Sequence, residues 1–419
     1  MKQEIKKNKI GALTLTGLTV GPILGSGILI LPPIVYGLIK DWSIIAWLAI
    51  IAIGFLFAFI FGYLSIQFPG DGGVTNAIEK VFGKYIKYLA SFYLIMGVVC
   101  GAVAVLVTAA QYIVKLNFST VTVIEYALWA ICFGFLLKNL SFLGKVVSVM
   151  SLVSAGILLL GGITTLAFYH KPFLIESKFD PHSFGYSLLL LFWTILGWEI
   201  IGNYSAEVRE PKKTITRSII LSAVIIAVID LAIVAAMQWG NVGEFWHGDV
   251  TITTIIFPVF KGVSNFVMAV LTLLLCCSSY LFFVAGITRM MAGLSDEKVL
   301  PAILSKRSKE NVPVVAVMVI GALHLIVLGF VHFGYFNVEK LVAFANGFFL
   351  VNVLIGVGTG VVLIKNNFIK ISGCFLGLLF IGMLFYFTSK IALTIICILA
   401  VYYGLKQINF NRASMTNSL

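Results

Sequence analysis

Apolar residues in this chain run in long uninterrupted blocks, with short polar breaks between them. The breaks delimit twelve candidate spans, at 10–39, 43–67, 86–114, 121–137, 145–168, 184–207, 218–239, 262–290, 313–332, 340–364, 371–387 and 389–405. A helix of about 20 apolar residues crosses the hydrocarbon core of a bilayer. The pattern therefore predicts an all-α polytopic membrane protein with about twelve transmembrane helices.

Two spans carry interruptions. The first contains Gly21-Pro22-Ile23-Leu24-Gly25-Ser26-Gly27-Ile28-Leu29, poor material for a continuous helix. The sixth contains Phe192-Trp193-Thr194-Ile195-Leu196-Gly197-Trp198-Glu199. A helix broken at membrane depth frees backbone N–H and C=O groups that lipid cannot satisfy, so the break must line a cavity. The N–H groups of the second half-helix suit a carboxylate and the preceding carbonyls suit an ammonium, a pairing that fits an amino acid. A small-residue face for close helix packing also accounts for the first interruption taken alone. A second break five spans later is the separation expected of two inverted five-helix repeats. The chain then divides into a first repeat at 1–168 (spans 1–5), a second at 169–364 (spans 6–10), and residues 365–419. That last stretch holds a peripheral pair of spans, a candidate homodimer face, and a polar tail.

Composition agrees. Of 419 residues 60% are hydrophobic and 11% charged, outside the range of soluble domains. The net charge of +12 is not a nucleic-acid footprint. Only Lys40, Lys115, Lys171, Lys178, Lys261, Lys340 and Lys390 fall on one side of the membrane, leaving 22 of the 29 Lys and Arg residues on the other. The positive-inside rule then places both termini in the cytoplasm, in the inner (cytoplasmic) membrane, with the basic excess facing anionic lipid. The N-terminal Met1-Lys2-Gln3-Glu4-Ile5-Lys6-Lys7 lacks a small-residue cleavage site and reads as retained. All six cysteines lie in apolar spans without metal-ligand spacing and read as packing thiols. No catalytic triad, zinc spacing, phosphate-cradling loop or nucleotide domain is visible, and no cofactor is expected. Pore-lining polar rings are also missing. A secondary transporter is the class left.

The turn Phe68-Pro69-Gly70-Asp71-Gly72-Gly73, followed by Phe82-Gly83 and preceded by the Gly25-Ser26-Gly27 break, resembles the amino acid–polyamine–organocation (APC) superfamily of transporters. So do Glu207-Val208-Arg209-Glu210-Pro211-Lys212-Lys213 after span six and Arg289 to Leu300-Pro301 after span eight, although Asp296-Glu297-Lys298 stands where the superfamily has a glycine. The length, the Trp193–Glu199 stretch and Ala345-Asn346-Gly347 are most similar to bacterial methionine and branched-chain amino-acid exporters. The resemblance implies that the N–H groups around Ser26, Gly27 and Ile28 hold a substrate carboxylate. It also implies that the carbonyls of Ile23, Trp193 and Leu196 receive the ammonium, with Gly25 and Gly197 supplying backbone freedom. Spans three, six, eight and ten would build the side-chain pocket near Val98 to Gly101, Trp193, Ile195, Tyr280, Leu281 and Asn346. No acidic residue there matches a cationic side chain, which favours a neutral, largely apolar substrate such as methionine, leucine, isoleucine or valine. Export or exchange by alternating access is implied. Uptake of other neutral amino acids and a non-transporting sensor are the alternatives.

Coupling is open between H+ and Na+. Ser278 and Ser279 either ligate sodium or bond helix to helix. Some proton-coupled relatives carry a lysine deep in span five, but 146–168 holds none here. Glu199, at a cost of about 2.5–3.5 kcal/mol at mid-membrane, either pins the broken helix or titrates and gates. His324 reads as a packing residue, Asp230 has no assigned role, and Gly240 to Lys261 suggests a helical lid.

Overall fold

The computed structural model describes residues 9–70, 72–114, 120–172, 174–241, 251–388 and 390–416. Span one is two half-helices, α1 (Ala12–Leu24) and α2 (Gly27–Ile39), followed by α3 (Ser43–Gln67). A short helix α4 (Val74–Phe82) precedes α5 (Lys84–Val114), α6 (Val121–Leu136) and α7 (Leu140–Phe168). Span six consists of α8 (Pro181–Leu191), the single turn Phe192–Ile195 and a tightly wound segment, Trp198–Glu207. Then come α9 (Pro211–Trp239), the short α10 (Ile252–Phe260), α11 (Ser264–Asp296), α12 (Val314–His332), α13 (Val338–Leu363), α14 (Asn367–Phe387) and α15 (Lys390–Thr416). Twelve spans are thus present among the described residues, two of them broken where the sequence places the interruptions. Described residues form no strand, only the isolated bridges Ile10–Val208 and His170–Gly240.

Burial sorts the helices. Along α5 nearly every residue from Leu89 to Ala110 is buried, and α11 is buried on most of its surface, so these two form the centre. The last pair, α14 and α15, turns large apolar side chains outward (Phe385, Ile391 and Ile398 are each more than 60% exposed), as a lipid-facing surface does. One anchor of that pair is the Tyr93 hydroxyl of α5, which donates to the Ile396 carbonyl of α15 at 2.7 Å.

Close helix contact comes from small residues, since lipid offers no hydrophobic drive for association. Ser151 of α7 donates to the Gly17 carbonyl (2.6 Å) and accepts from the Gly21 N–H (2.9 Å), bridging two groups one turn apart on α1. A Cβ at Gly17 or Gly21 would lie within 2.3 Å of a serine hydroxyl on α7.

Several of the loops carrying basic residues are tied to one another by hydrogen bonds and ion pairs. Ile10 donates to the Glu207 carbonyl (3.1 Å) and Arg209 donates back to the Ile10 carbonyl (2.9 Å), stitching the start of α1 to the end of span six. Arg289, 2% exposed, donates through Nε to Glu207 Oε1 at 2.5 Å. Lys87 places its ammonium between Glu79 of α4 (2.7 Å) and Glu297 beyond α11 (2.6 Å). Lys298 takes the left-handed conformation (φ 61°) just where the superfamily pattern has glycine. The proposed lid lies partly at 242–250, outside the described residues. Its described part, α10, begins on a Thr251–Thr254 capping box and packs on α7 and α11.

The α7–α10 contact is tested by substitution. A Cβ at Gly161 would meet Ile256 at 2.8 Å (Cγ2) and 3.1 Å (Cα), against a backbone that cannot yield. Gly161→Val should destabilise the fold by about 1–3 kcal/mol, read as a lower thermal-unfolding midpoint in detergent. Gly134→Val, with open space around the added Cβ, should leave it unchanged.

Candidate functional site

Gly25 ends α1 with φ 46° and ψ −147°, a conformation only glycine takes readily. Ser26 then opens α2, and its side chain caps nothing within the helix. Among the described residues no backbone carbonyl accepts from the N–H groups of Ser26, Gly27 or Ile28. The Ile23 carbonyl is likewise left without a backbone donor, while the Pro22 carbonyl is taken by the Ser279 hydroxyl at 3.0 Å.

The second break faces the first. Leu196 is extended (ψ 141°) and Gly197 has φ 124°. A Cβ at Gly197 would lie 2.8 Å from Ile23 Cγ1, and one at Gly27 would lie 2.9 Å from Thr194 Cγ2, so the two breaks are in van der Waals contact. The Trp193 indole N–H donates to Ser26 Oγ across the gap at 3.2 Å. Glu199, 2% exposed, accepts from the Gly197 N–H through Oε2 at 2.9 Å, while its Oε1 has no hydrogen-bond partner among the described residues. One carboxylate oxygen thus satisfies the N–H freed at Gly197.

Two hollows meet at this point. A vestibule of about 850 Å³ opens toward the face opposite the basic one, walled by α2, α8, the far half of α5 and the start of α13. Polar groups dot its wall: Thr108, Gln111 and Tyr112 on α5, Tyr186 on α8, and Asn346 on α13. The Asn346 carbonyl oxygen is buried without a partner among the described residues. Beneath lies a smaller cavity of about 30 Å³, room for one or two waters. Its floor and walls are Pro22, Ile23, Gly25 and Leu196 from the breaks, Val98 and Gly101 from α5, Ser279 and Phe283 from α11, and Phe349 from α13. Ser26 and Trp193 line both hollows, so the indole is the partition between them.

Several expected residues fall elsewhere. Tyr280 points away from the cavity and pairs with His324 Nδ1 at 2.8 Å, a buried α11–α12 contact that agrees with the packing reading of His324. Leu281 does not line the cavity either; Ser279 and Phe283, on the other side of α11, take those places. Ile195 faces a separate hollow behind Ile23. Ile28 and Gly197 are buried at the breaks, outside the cavity wall. Ser278 donates to Leu275 O (2.8 Å) within its own helix. Phe349 went unforeseen, although Asn346, Phe349 and Leu350 recur at helical spacing and share the face turned to the two hollows.

A broken-helix pair around a central cavity is the architecture the superfamily resemblance implies, and direct comparison settles the family. Residues 10–417 match the amino acid permease family. The chain belongs to that family. Among similar proteins are the uncharacterized amino acid permease YecA of Bacillus subtilis (27% identical over 70% of each chain) and the putrescine transporter PotE of Escherichia coli (23%, covering 76% of this chain and 74% of PotE). The L-methionine/branched-chain amino acid exporter YjeH of E. coli is 19% identical over 86% of this permease and 88% of YjeH. In fold the permease is similar to a Na+-coupled sialic acid symporter solved in a substrate-bound outward-open state (TM-score 0.60, 13% identity, covering 91% of this chain and 90% of that one). The permease is accordingly a multi-pass membrane transporter and not an enzyme.

The Glu199 anchor is directly testable. Losing the acceptor for a buried N–H costs about 1–3 kcal/mol, so in Glu199→Leu the Gly197 amide should exchange its hydrogen roughly 10- to 100-fold faster by mass spectrometry. Glu199→Gln, which keeps an acceptor oxygen, should protect the amide much as Glu199 does.

Proposed function

We propose that the permease carries neutral, largely apolar amino acids, methionine and the branched-chain residues foremost, by alternating access around the two helix breaks. The observation that carries this reading is the juxtaposition of the Ser26, Gly27 and Ile28 N–H groups, which have no backbone acceptor among the described residues, with open carbonyls at Ile23 and Leu196. Ile23, Ser26 and Leu196 line the inner cavity, and Gly27 lines the vestibule above it. The positive end of the α2 dipole meets the carboxylate and the negative end of α1 meets the ammonium. A zwitterion then enters low dielectric with both charges answered and no buried counter-ion required.

The remaining wall favours an apolar side chain. Val98, Phe283 and Phe349 are hydrocarbon, and among the described residues no acidic side chain lines either hollow. A diamine such as the putrescine handled by PotE brings two ammonium groups, and the second finds no carboxylate among these residues. The inner cavity is smaller than such a side chain, so binding requires Trp193 to swing off Ser26 and Phe349 to yield.

With the basic face cytoplasmic by the positive-inside rule, the vestibule opens outward and the Arg289–Glu207 and Lys87 clusters hold the inner gate shut. Release on the other side requires the Ile10–Arg209 pairing and the Arg289–Glu207 ion pair to part. The mechanism serves export or exchange equally, the direction following the gradients. Ser279, already bonded to the Pro22 carbonyl, is the residue best placed to sense a sodium ion at the first break, with Ser278 beside it.

Ser26 has φ −73°, which proline accepts, and its N–H has no backbone partner to lose. Ser26→Pro should therefore leave the fold intact and remove one carboxylate donor. Methionine affinity by thermal shift should fall about tenfold or more, the value of a charge-assisted hydrogen bond. Gly27→Leu, blocked by Thr194, should abolish binding. Wild-type affinity in both variants refutes the assignment.

A further inference from the structure

A third hollow lies behind the inner cavity, on the far side of Ile23. It holds about 20 Å³ between α3, α9 and the broken sixth span, enough for roughly one water. Ile23, Thr194, Ile195 and Trp198 reach it from the two breaks, and Asp230 enters it from α9. Ile23 therefore walls both the substrate cavity and this one.

Asp230 is 4% exposed, and among the described residues it makes no hydrogen bond and no ion pair. The elements packed on α9 bring no counter-charge to the hollow. Neither α1 nor α10 contains a titratable side chain; α2 has Tyr36, α3 has Tyr63, and α7 has Lys145 at the basic face. Segment Trp198–Glu207 has Glu199, Tyr204 and Glu207, engaged with Gly197, Phe282 and Arg289 respectively. None of these lines the hollow. On α9 itself the charged groups are Lys212, Lys213 and Arg217, near the other end of the helix.

An unpaired carboxylate in such surroundings costs several kcal/mol, so the hollow needs a cation. The Thr194 hydroxyl already donates its hydrogen bond to the Leu191 carbonyl (2.7 Å), and the Trp198 indole is a donor only. Two oxygen-bearing side chains are too few to replace the hydration shell of a metal ion. A proton needs one oxygen and fits any hollow. We propose that Asp230 is a proton-binding site of the transport cycle, loaded and unloaded as the two helix breaks move against it. The proton passes from water on one face to an Asp230 carboxylate oxygen, and returns to water when movement of Ile23 and Trp198 hydrates the hollow on the other face. No electron moves and no other bond is made. This inference rests on the transport reading above, and deepens it by naming the coupling group.

The test uses the full chain in proteoliposomes with labelled methionine. Wild type should accumulate methionine under an imposed pH gradient with sodium replaced by choline. Asp230→Asn should lose that accumulation about tenfold or more, with a flat pH profile, while keeping counterflow exchange at equal pH. Asp230→Glu should restore the pH response. Gradient-driven accumulation persisting in Asp230→Asn overturns the proposal. So does a sodium-driven accumulation that Asp230→Asn abolishes, which would make the hollow a metal site. If wild type shows no counterflow with any neutral amino acid, the transport reading fails. The infrared carbonyl band of protonated carboxylic acid then decides the proton site alone. The band should disappear in Asp230→Asn or, if that variant does not fold, shift in Asp230→Glu. An unchanged band overturns the proposal.

Discussion

The whole molecule depends on a solvation constraint: a peptide group freed from its helix inside a bilayer finds no water there. Two helices are broken in this permease, and each freed group has to be answered by protein or left for a ligand. The answers are divided unevenly. Glu199 takes the Gly197 N–H, Ser279 takes the Pro22 carbonyl, and the Ser26 hydroxyl takes the Trp193 indole. What stays open is one cluster of donors at the start of α2 and the carbonyls of Ile23 and Leu196 at the two breaks. These are the groups of opposite polarity that a zwitterion presents in reverse.

Holding two broken helices in contact requires that nothing bulky stand between them. Gly27 lies against Thr194, Gly197 against Ile23, and Gly17 and Gly21 against the serines of α7. Small residues here do the work that burial of apolar area does in water, because in lipid van der Waals contact and interhelical hydrogen bonds carry association.

The basic face is held by a different force. Arg289 and Lys87 are nearly inaccessible, and each is matched by carboxylates at hydrogen-bond distance. The Arg289–Glu207 pair is largely buried on both sides, whereas Glu79 and Glu297 reach solvent beside the buried Lys87. Buried pairs add little net stability, since desolvation offsets most of the attraction, but breaking one without hydrating it is costly. They suit a closure with two discrete states: shut and dry, or open and wet. At the opposite face the vestibule is already wide, and a single indole separates it from the inner cavity.

Much of this was legible in the residue order. Hydropathy blocks fixed the number of spans, since length and apolar content are all that the bilayer asks of a helix. Gly25-Ser26-Gly27 and Leu196-Gly197 marked the breaks because their local backbone preference oppose a helix whatever surrounds them. The side-chain pocket was not legible to the same degree. Which of Ser279, Tyr280, Leu281 and Phe283 faces the cavity depends on the rotation of α11 about its axis, and an all-round buried helix carries no polar stripe to reveal it. The meeting of Asp230 with Thr194 and Ile23 likewise depends on packing between spans far apart in sequence. Local chemistry therefore determined where the chain breaks and which groups are freed, and tertiary packing alone decided what those groups face, because helix rotation and contact across the bundle leave no local trace.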